Sequence, residues 1–312
     1  MRLRSTFALA ELVGRATAVA PGTCGELVQG VVNGSHFLVT CPVNLYAQVT
    51  VALYRGARGV FAPDDCSKAR QAVGEALAYC GRDDLGALLT VHSAIPRGKG
   101  MGSSTADVAA AIAATAAALG RALSPAEVAR LALAVEPSDG VMFPGIALFD
   151  HRQGRLAEEL GPPPPIDIVA LDCGGTIDTL EFNRIDRREA LRGRESAFRE
   201  ALRLVRAGVA AGDPSLIGAG ATLSARLHQD VLPKPLLEPV IAFAESVGAV
   251  GVNTAHSGTV IGILLDGRGS TDSRAAAVLA AARRAFPDVA AAYRLKLVGG
   301  GLRVEGGGLG LA

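Results

Sequence analysis

The stretch PRGKGMGSSTA, residues 96–106, stands directly before an alanine-rich run over residues 107–119. Its glycines, Gly98, Gly100 and Gly102, occupy alternate positions and let the backbone approach a ligand without Cβ clashes. The helix predicted after them directs unpaired N–H groups and the positive end of its dipole at the loop. This combination predicts a phosphate-binding loop at the start of a helix.

Two common nucleotide motifs do not match this loop. It lacks the lysine-then-hydroxyl ending of the P-loop and the wider glycine spacing of the dinucleotide fingerprint. A competing interpretation is a tight turn and an ordinary helix cap, with Ser103 or Ser104 as the capping side chain. We favour the ligand interpretation, because a cap needs only one of the features that this stretch combines.

Composition and charge argue against several classes of function. The 312 residues suffice for two average domains, and the formal net charge is +1. Because no dense basic cluster is interleaved with aromatic residues, we expect no nucleic-acid partner. The cysteines are scattered without a C-x-x-C pair, so we expect neither a disulfide framework nor a zinc site, and we predict a reducing cytoplasm. They are Cys24, Cys41, Cys66, Cys80 and Cys173.

The N-terminal residues resemble a secretory signal. Arg2 and Arg4 precede the mostly apolar residues 7–20, but Glu11 and Arg15 interrupt them, so we expect no export. The apolar run at 106–119 is shorter than the roughly eighteen residues of a membrane helix, so we expect no membrane partner.

Periodicity predicts strands before helices in the first half. Asn33-Gly34 indicates a turn ahead of an antiparallel meander, and the segment SPAE at 124–127 is a capping box that starts a helix. That helix should end at Glu136, because a proline follows. The other predicted elements are strands over 36–41, 45–53 and 88–95 and helices over 68–79 and to about Leu119.

The segment GPPPP, residues 161–165, is the clearest linker, since four prolines fit neither a helix nor a central strand. We place a domain boundary there, giving domains over 1–161 and 166–312. The second domain is predicted as an α+β layer with a mostly antiparallel sheet. Its predicted elements are strands over 166–171, 250–253, 260–265 and 293–298, helices over 236–247 and 274–285, a helix from Pro214, and a long helix with Leu191, Phe198, Leu202, Val205 and Val209 on one face. The glycine-rich residues 299–310 are a loop or a frayed tail.

Two other stretches carry candidate chemistry. In PGTCGELVQG, residues 21–30, Glu26 and Gln29 could orient a ligand, or the segment could be a strand, bulge and turn with Glu26 solvated. In EPSD, residues 136–139, one carboxylate could hold a magnesium ion while the other approaches an acceptor hydroxyl. Taken alone, EPSD is better explained as a surface turn.

Together and in this order, the three stretches resemble the GHMP kinase superfamily, in whose phosphate loop Met101 takes a leucine position and Thr105 an alanine position. The resemblance is closer still to the PduX-type L-threonine kinases. Four of their motifs occur here and span most of the chain, leaving the far C-terminus uncovered. They are CGELVQG at 24–30, CPV at 41–43, EPSD at 136–139 and AHSG at 255–258.

The resemblance implies a two-domain α+β GHMP kinase fold with the site in the cleft between the domains. The N-terminal ATP-binding domain would resemble domain 2 of ribosomal protein S5, and the C-terminal domain would be ferredoxin-like. The implied activity is the ATP- and Mg²⁺-dependent phosphorylation of L-threonine to O-phospho-L-threonine. In the family, that product enters the aminopropanol arm of adenosylcobalamin biosynthesis.

The resemblance also assigns residues. Ser104 and Glu136 would serve the metal, and Asp139 would be catalytic, although its short separation from Glu136 leaves open whether a dedicated base is used. The phosphate-binding residues would be Pro96, Gly98, Lys99, Gly100, Met101, Gly102, Ser103 and Ser104, with Lys99 either neutralising charge or solvated. Candidates for the acceptor are Thr23, Cys24, Gly25, Glu26 and Gln29, with Glu26 as ammonium partner, while His256 and Ser257 could close over either ligand.

Other functions stay open at this point. The acceptor could be another small alcohol, such as homoserine or serine, and the chain could form a homodimer. A silent nucleotide-binding regulator is disfavoured, because it would not need both Ser104 and Glu136. A serine hydrolase built on Ser257 lacks the G-x-S-x-G elbow, and a small buried cysteine is commoner than a nucleophile at Cys24.

Overall fold

The computed structural model describes residues 10–175, 191, 193–269 and 272–305. The described strands are β1 (Glu11–Val32), β2 (Ser35–Arg55), β3 (Val60–Phe61), β4 (Gly86–Ser93), β5 (Ile146–Phe149), β6 (Ala157–Gly161), β7 (Ile166–Asp172), β8 (Gly251–Thr254), β9 (Val260–Asp266), β10 (Ala291–Lys296) and β11 (Arg303–Glu305). The described α-helices are α1 (Ser67–Tyr79), α2 (Ser103–Ala118), α3 (Pro125–Val135), α4 (Glu195–Ala211), α5 (Pro214–Leu227), α6 (Leu237–Ser246) and α7 (Asp272–Ala285).

A single sheet joins these strands in the order β10-β7-β9-β8-β1-β2-β4-β3, with β11 beside β1 and β5 between β2 and β6. All described pairs are antiparallel except β3 with β4. β1 pairs with β11 at Thr17–Val19 and with β8 at Glu26, opposite its long pairing with β2. β1 therefore connects the two parts of the sheet.

The β1–β2 hairpin confirms the turn predicted at Asn33-Gly34, where both residues have positive φ and Val32 pairs with Ser35. The strand predictions over 36–41 and 45–53 are confirmed, but both ranges belong to the one long strand β2. β1 itself was not predicted as one strand. Its second half is buried on both faces, so the polar–apolar alternation that marks a strand is missing there. Four register shifts bend the hairpin along its length.

Helix α2 lies between the sheet and helices α1 and α3. Its alanines are buried almost all round, as expected for a helix without a polar face. Small side chains let the helix approach its neighbours closely, which fixes the position of its N-terminus. The predicted capping box is confirmed at α3, where Ser124 and Glu127 hydrogen-bond reciprocally.

Among the helices that follow β7 along the chain, α4 and α5 pack against each other and against β1. Helices α6 and α7 cover an apolar cluster on the other face of the sheet. The predicted face of the long helix is confirmed, since Phe198, Leu202, Val205 and Val209 are all buried. Leu191 is also buried, but it precedes the start of α4.

Residues 162–165 connect β6 to β7. The boundary drawn there stays a prediction, since one sheet runs through both parts. Of the glycine-rich end, Arg303–Glu305 forms β11, and residues 306–312 lie outside the described ranges. No helix in the described ranges has the length and apolar composition needed to cross a bilayer.

Candidate active site

The phosphate-loop stretch connects β4 to α2 and contains three left-handed glycines. Gly98, Gly100 and Gly102 have φ of 70°, 75° and 67°, a region that favours glycine because it lacks a Cβ. Gly102 is the N-cap of α2, and no side chain in the described ranges caps the helix. The interpretation of Ser103 or Ser104 as capping side chains is therefore wrong. The first N–H groups of α2 remain available for an anion.

The loop is packed tightly against other segments. A Cβ on Gly100 would lie 2.5 Å from Ala255 Cβ and 2.7 Å from Gly258 Cα. On the opposite side, the Thr23 N–H donates to the Met101 carbonyl at 2.8 Å. The AHSG segment and the segment around Thr23 therefore hold the loop from two sides.

Replacing Gly102 should test this geometry. A Cβ there would lie 2.9 Å from Thr23 Cγ2 and 3.0 Å from Asp139 Oδ2. We expect Gly102→Ala to lower turnover by about 100-fold, because small displacements of reacting groups are costly. ADP release measures turnover, and thermal denaturation measures stability.

The matched control for this substitution is Gly120→Ala at the other end of α2. Gly120 also has positive φ, but open space surrounds its Cβ position. This variant should lose only about 1–2 kcal/mol of stability, the cost of the left-handed backbone, and retain turnover. Equal turnover in the two variants would contradict the close approach at Gly102.

A cavity of about 320 Å³ opens in front of the loop, within the usual range for small-molecule sites. The loop and the first turn of α2 form one wall. The other described residues that line it are Glu26, Asp65, Cys66, Ser67, Lys68, Ala69, Asp107, Glu136, Pro137, Asp139, His256 and Ser257. The three stretches with candidate chemistry, at 21–30, 96–106 and 136–139, therefore all contribute to the wall of this cavity.

Glu136 lies at the C-terminal end of α3, where Pro137 prevents the helix from continuing. Its carboxylate is buried, and Ser104 Oγ donates to Oε1 while Lys68 Nζ lies 2.5 Å from Oε2. A hydroxyl and a carboxylate oxygen side by side are ligands that suit Mg²⁺, which usually takes one or two carboxylates together with substrate phosphates. Within the described ranges, no group of three or more His, Cys, Asp or Glu is placed to hold a metal ion.

Asp139 lies against Gly102 and faces the cavity. Its N–H donates to Thr105 Oγ1 at 3.3 Å, which anchors the carboxylate beside the first turn of α2. Burial raises the pKa of Asp139 to about 7, and the neighbouring Glu136 carboxylate adds to the shift. A group with a pKa near neutrality is suited to accept a proton in this position.

Glu26 extends from β1 into the same cavity. Burial raises the pKa of Glu26 well above its usual range, and Asp139 adds to this, while a hydrogen bond from Thr40 opposes it. Within the described ranges, Glu26 Oε2 and Thr23 Oγ1 are buried without a hydrogen-bond partner. Buried polar atoms normally have partners, so the Glu26 oxygen, which belongs to the cavity wall, is a candidate for a ligand contact. Thr23 is fully buried and does not belong to the described wall.

The remaining acceptor candidates divide into two groups. His256 and Ser257 line the cavity, whereas Cys24, Gly25 and Gln29 do not belong to its described wall. Gln29 instead binds His256, with 2.7 Å between Gln29 Oε1 and His256 Nδ1. Gly25 adopts positive φ against the backbone of residues 254–255. These candidates lie behind the wall and support it.

Cys24 is buried outside the described wall of the cavity, and its backbone carbonyl accepts a hydrogen bond from Asn253 Nδ2. Burial raises the pKa of the Cys24 thiol to about 12, with a smaller contribution from Glu26. A thiol with this pKa is not a nucleophile near neutral pH, which agrees with its interpretation as a packing residue.

Two of the expected phosphate ligands also lie apart from the cavity. Pro96 and Lys99 are not among the described residues of its wall. Lys99 Nζ lies 3.0 Å from Asp172 Oδ2 and 2.8 Å from the Gly175 carbonyl. The Lys99 ammonium group is therefore paired rather than free in solvent, and it is directed at Asp172 rather than at the space in front of the loop.

Sequence reasoning missed several charged residues of the site. Lys68 pairs with Glu136, and Arg97 in the loop lies 3.2 Å from Asp65 and 3.5 Å from Asp107. Burial raises the pKa of Asp107 to about 6, although Arg97 opposes the shift. Arg97 stood within the quoted loop and could have been considered. Lys68 carried no local signal, because the sequence does not show that α1 and α3 are neighbours.

Comparison with known proteins identifies the family of this chain. The family model described as "GHMP kinases N terminal domain" matches residues 67–144, and that described as "GHMP kinases C terminal" matches residues 198–288. An L-threonine kinase of Salmonella typhimurium is 35% identical over 93% of this chain and 96% of its own length. An L-threonine kinase of Citrobacter freundii is 36% identical over 80% of this chain and 86% of its own length.

Among solved structures, a homoserine kinase from Cytophaga hutchinsonii superposes with a TM-score of 0.71 at 18% identity, covering 94% of this chain and 98% of that one. At this identity the likeness concerns the fold. The chain belongs to the GHMP kinase family, as the family models and the two relatives show. It is therefore a phosphotransferase, and kinases of this kind use ATP and a small-molecule substrate.

Proposed function

We propose that this protein transfers the γ-phosphoryl group of ATP to the hydroxyl of L-threonine, giving O-phospho-L-threonine and ADP. The observation that carries the proposal is the convergence on one cavity of the α2 N-terminus, the Ser104–Glu136 pair and the Glu26 and Asp139 carboxylates. The two relatives with the name L-threonine kinase support the choice of acceptor.

The loop and the N-terminus of α2 would bind the phosphates. The backbone N–H groups that follow Gly102 point toward the cavity end of the helix, where the dipole favours negative charge. Alignment and charge neutralisation supply most of the catalysis in phosphoryl transfer. A rigid loop with glycines in fixed left-handed conformations provides that alignment.

Ser104 Oγ and Glu136 would hold the magnesium ion, which neutralises phosphate charge when bound. Lys68 now occupies the second oxygen of Glu136, so a cation already balances this carboxylate in the structure. With a metal held by Ser104 and Glu136, the ammonium of Lys68, which also lines the cavity, would be available to the phosphates.

The acceptor would be oriented by the two other carboxylates. Glu26 would bind the ammonium group of the amino acid, whose positive charge would oppose the effect of burial on the Glu26 pKa, and Asp139 would take the hydroxyl proton. Threonine Oγ then bonds to the γ-phosphorus, and the bond from this phosphorus to the β–γ bridging oxygen breaks, so that ADP leaves. His256 and Ser257 would close the acceptor end of the cavity.

A panel of acceptors tests this function. With ATP and Mg²⁺, we expect L-threonine to stimulate ADP release more than L-serine, L-homoserine, mevalonate or galactose. An extra methyl in an apolar pocket is worth about 10- to 200-fold in kcat/KM, which bounds the preference for threonine over serine. Preference for another compound would move the acceptor and keep the mechanism, whereas silence with every compound would contradict the proposed reaction.

Further parts of the proposal rest on the family resemblance and on composition. The product would serve adenosylcobalamin biosynthesis, and the protein would act in the cytoplasm and could form a homodimer. The scattered free cysteines support a reducing compartment. Analytical ultracentrifugation would test the oligomeric state directly.

A further inference from the structure

Lys99, although part of the phosphate-loop stretch, contacts residues of the second part of the chain. Its ammonium group lies 3.0 Å from Asp172 Oδ2 at the end of β7 and donates to the Gly175 carbonyl at 2.8 Å. The Lys99 side chain is 21% exposed and that of Asp172 only 2%. Salt screens a largely buried pair less than an exposed one, and removal of one partner leaves a buried charge uncompensated.

The second oxygen of Asp172 is also occupied. Thr259 Oγ1 donates to Asp172 Oδ1 at 2.6 Å, and the Gly174 N–H donates to the same oxygen at 3.0 Å. Burial acts to raise the pKa of Asp172, but the hydrogen bonds from Thr259 and Gly174 and the contact with Lys99 outweigh it, so the net shift is downward. The carboxylate is therefore charged at neutral pH.

The contacts close into a ring. The backbone N–H of Thr259 donates to the carbonyl of Lys99 at 3.1 Å, while the side chains of these two residues meet on Asp172. A neighbouring residue in each segment takes part as well, because a Cβ on Gly258 would lie 2.3 Å from Gly100 Cα. Backbone and side chain together thus fix the loop to β7 and to the start of β9.

We propose that Lys99, Asp172 and Thr259 form a clamp that positions the phosphate loop, and that Lys99 acts through the loop backbone rather than by contact with phosphate. The competing role, a phosphate-binding lysine like that of the P-loop, requires the ammonium to leave a buried carboxylate. The proposal deepens the proposed kinase function, since it names a positioning residue for that reaction.

The clamp predicts a distinctive pattern in the variants Lys99→Met and Asp172→Asn. Each should lower kcat by about tenfold, because displaced loop N–H groups no longer align the phosphates. Since the two residues act as one unit, the double variant should lose no more than either single variant. The dissociation constant for MgATP, measured by calorimetry, should change in the same direction and by a similar factor in all three proteins, because each displaces the same loop N–H groups.

A phosphate-binding lysine predicts the opposite. Lys99→Met would then weaken MgATP binding, whereas Asp172→Asn, which frees the ammonium, would leave binding unchanged or tighten it. That split between the two variants would overturn the clamp. Asparagine at 172 still accepts hydrogen bonds from Thr259 and Gly174, so this variant should fold.

Hydrogen–deuterium exchange supplies a readout that needs no acceptor, so failure of the clamp is distinguishable from a wrong choice of substrate. In the nucleotide-free protein, the amides of residues 98–102 should exchange faster in both single variants. The control is Lys296→Met, which removes another ion pair to β7, 3.6 Å from Asp167, in an exposed position. It should leave loop exchange and kcat unchanged, and unchanged exchange in Lys99→Met would overturn the clamp.

Discussion

Glu136→Gln should abolish turnover, while the binding of ATP remains measurable. Glutamine keeps the size of the side chain and an oxygen for the hydrogen bond from Ser104, but it removes the negative charge that faces Lys68 and the metal position. Metal-assisted charge stabilisation is worth several kcal/mol, so we expect kcat to fall by at least about 1000-fold. ADP release and calorimetric titration with ATP measure the two quantities.

The control for this variant is Glu127→Gln on the same helix. The Glu127 carboxylate accepts hydrogen bonds from Ser124 at the N-terminus of α3, and Glu127 lies outside the described wall of the cavity. Glutamine also functions in a capping box, so this variant should retain full turnover. Unchanged turnover in Glu136→Gln would contradict the assignment of Glu136 as a metal ligand. Loss of ATP binding in a folded Glu136→Gln protein would contradict the expectation that Glu136 is not needed to bind the nucleotide.

Asp139→Asn should lower kcat by about 100- to 10,000-fold if this carboxylate accepts the hydroxyl proton. In the parent protein, kcat should rise with pH, because only the deprotonated carboxylate can take the proton. The pKa of Asp139 is about 7 in the structure, and a bound cation would lower this pKa. The rise of kcat with pH should therefore be centred at or below about pH 7. A variant with nearly full kcat would favour transfer without a dedicated base.

The same residue has a measurable effect on stability. Because the folded protein retains a proton that the unfolded chain releases above about pH 4, the free energy of unfolding should fall as the pH rises from about 4 to about 7. Asparagine does not titrate, so the dependence in Asp139→Asn should be shallower. Denaturant titrations without nucleotide or metal measure this, and identical slopes would contradict the raised pKa.

Much of the site could be predicted from short segments. The alternating glycines before an alanine helix indicated a phosphate loop, and the left-handed conformations of Gly98, Gly100 and Gly102 agree with that prediction. The EPSD segment taken alone favoured a surface turn, but Glu136 is buried and in contact with Ser104. Only the order of the three stretches, through the family resemblance, assigned this segment to the site.

The fold was harder to predict where burial removes the usual signal. The second half of β1 is buried on both faces, so its sequence shows no strand alternation, and the apolar first half resembled a signal peptide. Charged contacts between distant segments were equally hidden. Lys68 meets Glu136, and Lys99 meets Asp172, across separations that no local pattern records.

The sequence by itself determined the local conformations and the chemical types of the site residues, because glycine, proline and capping residues restrict the backbone within a few positions. Only the tertiary structure decided which charges meet. It directed Lys99 to Asp172 rather than to the cavity, brought Lys68 to Glu136, and enclosed Asp139 beside Gly102. The physical reason is that ion pairing, burial and the resulting pKa shifts depend on distances set by the packing of β1, α2 and the second part of the sheet.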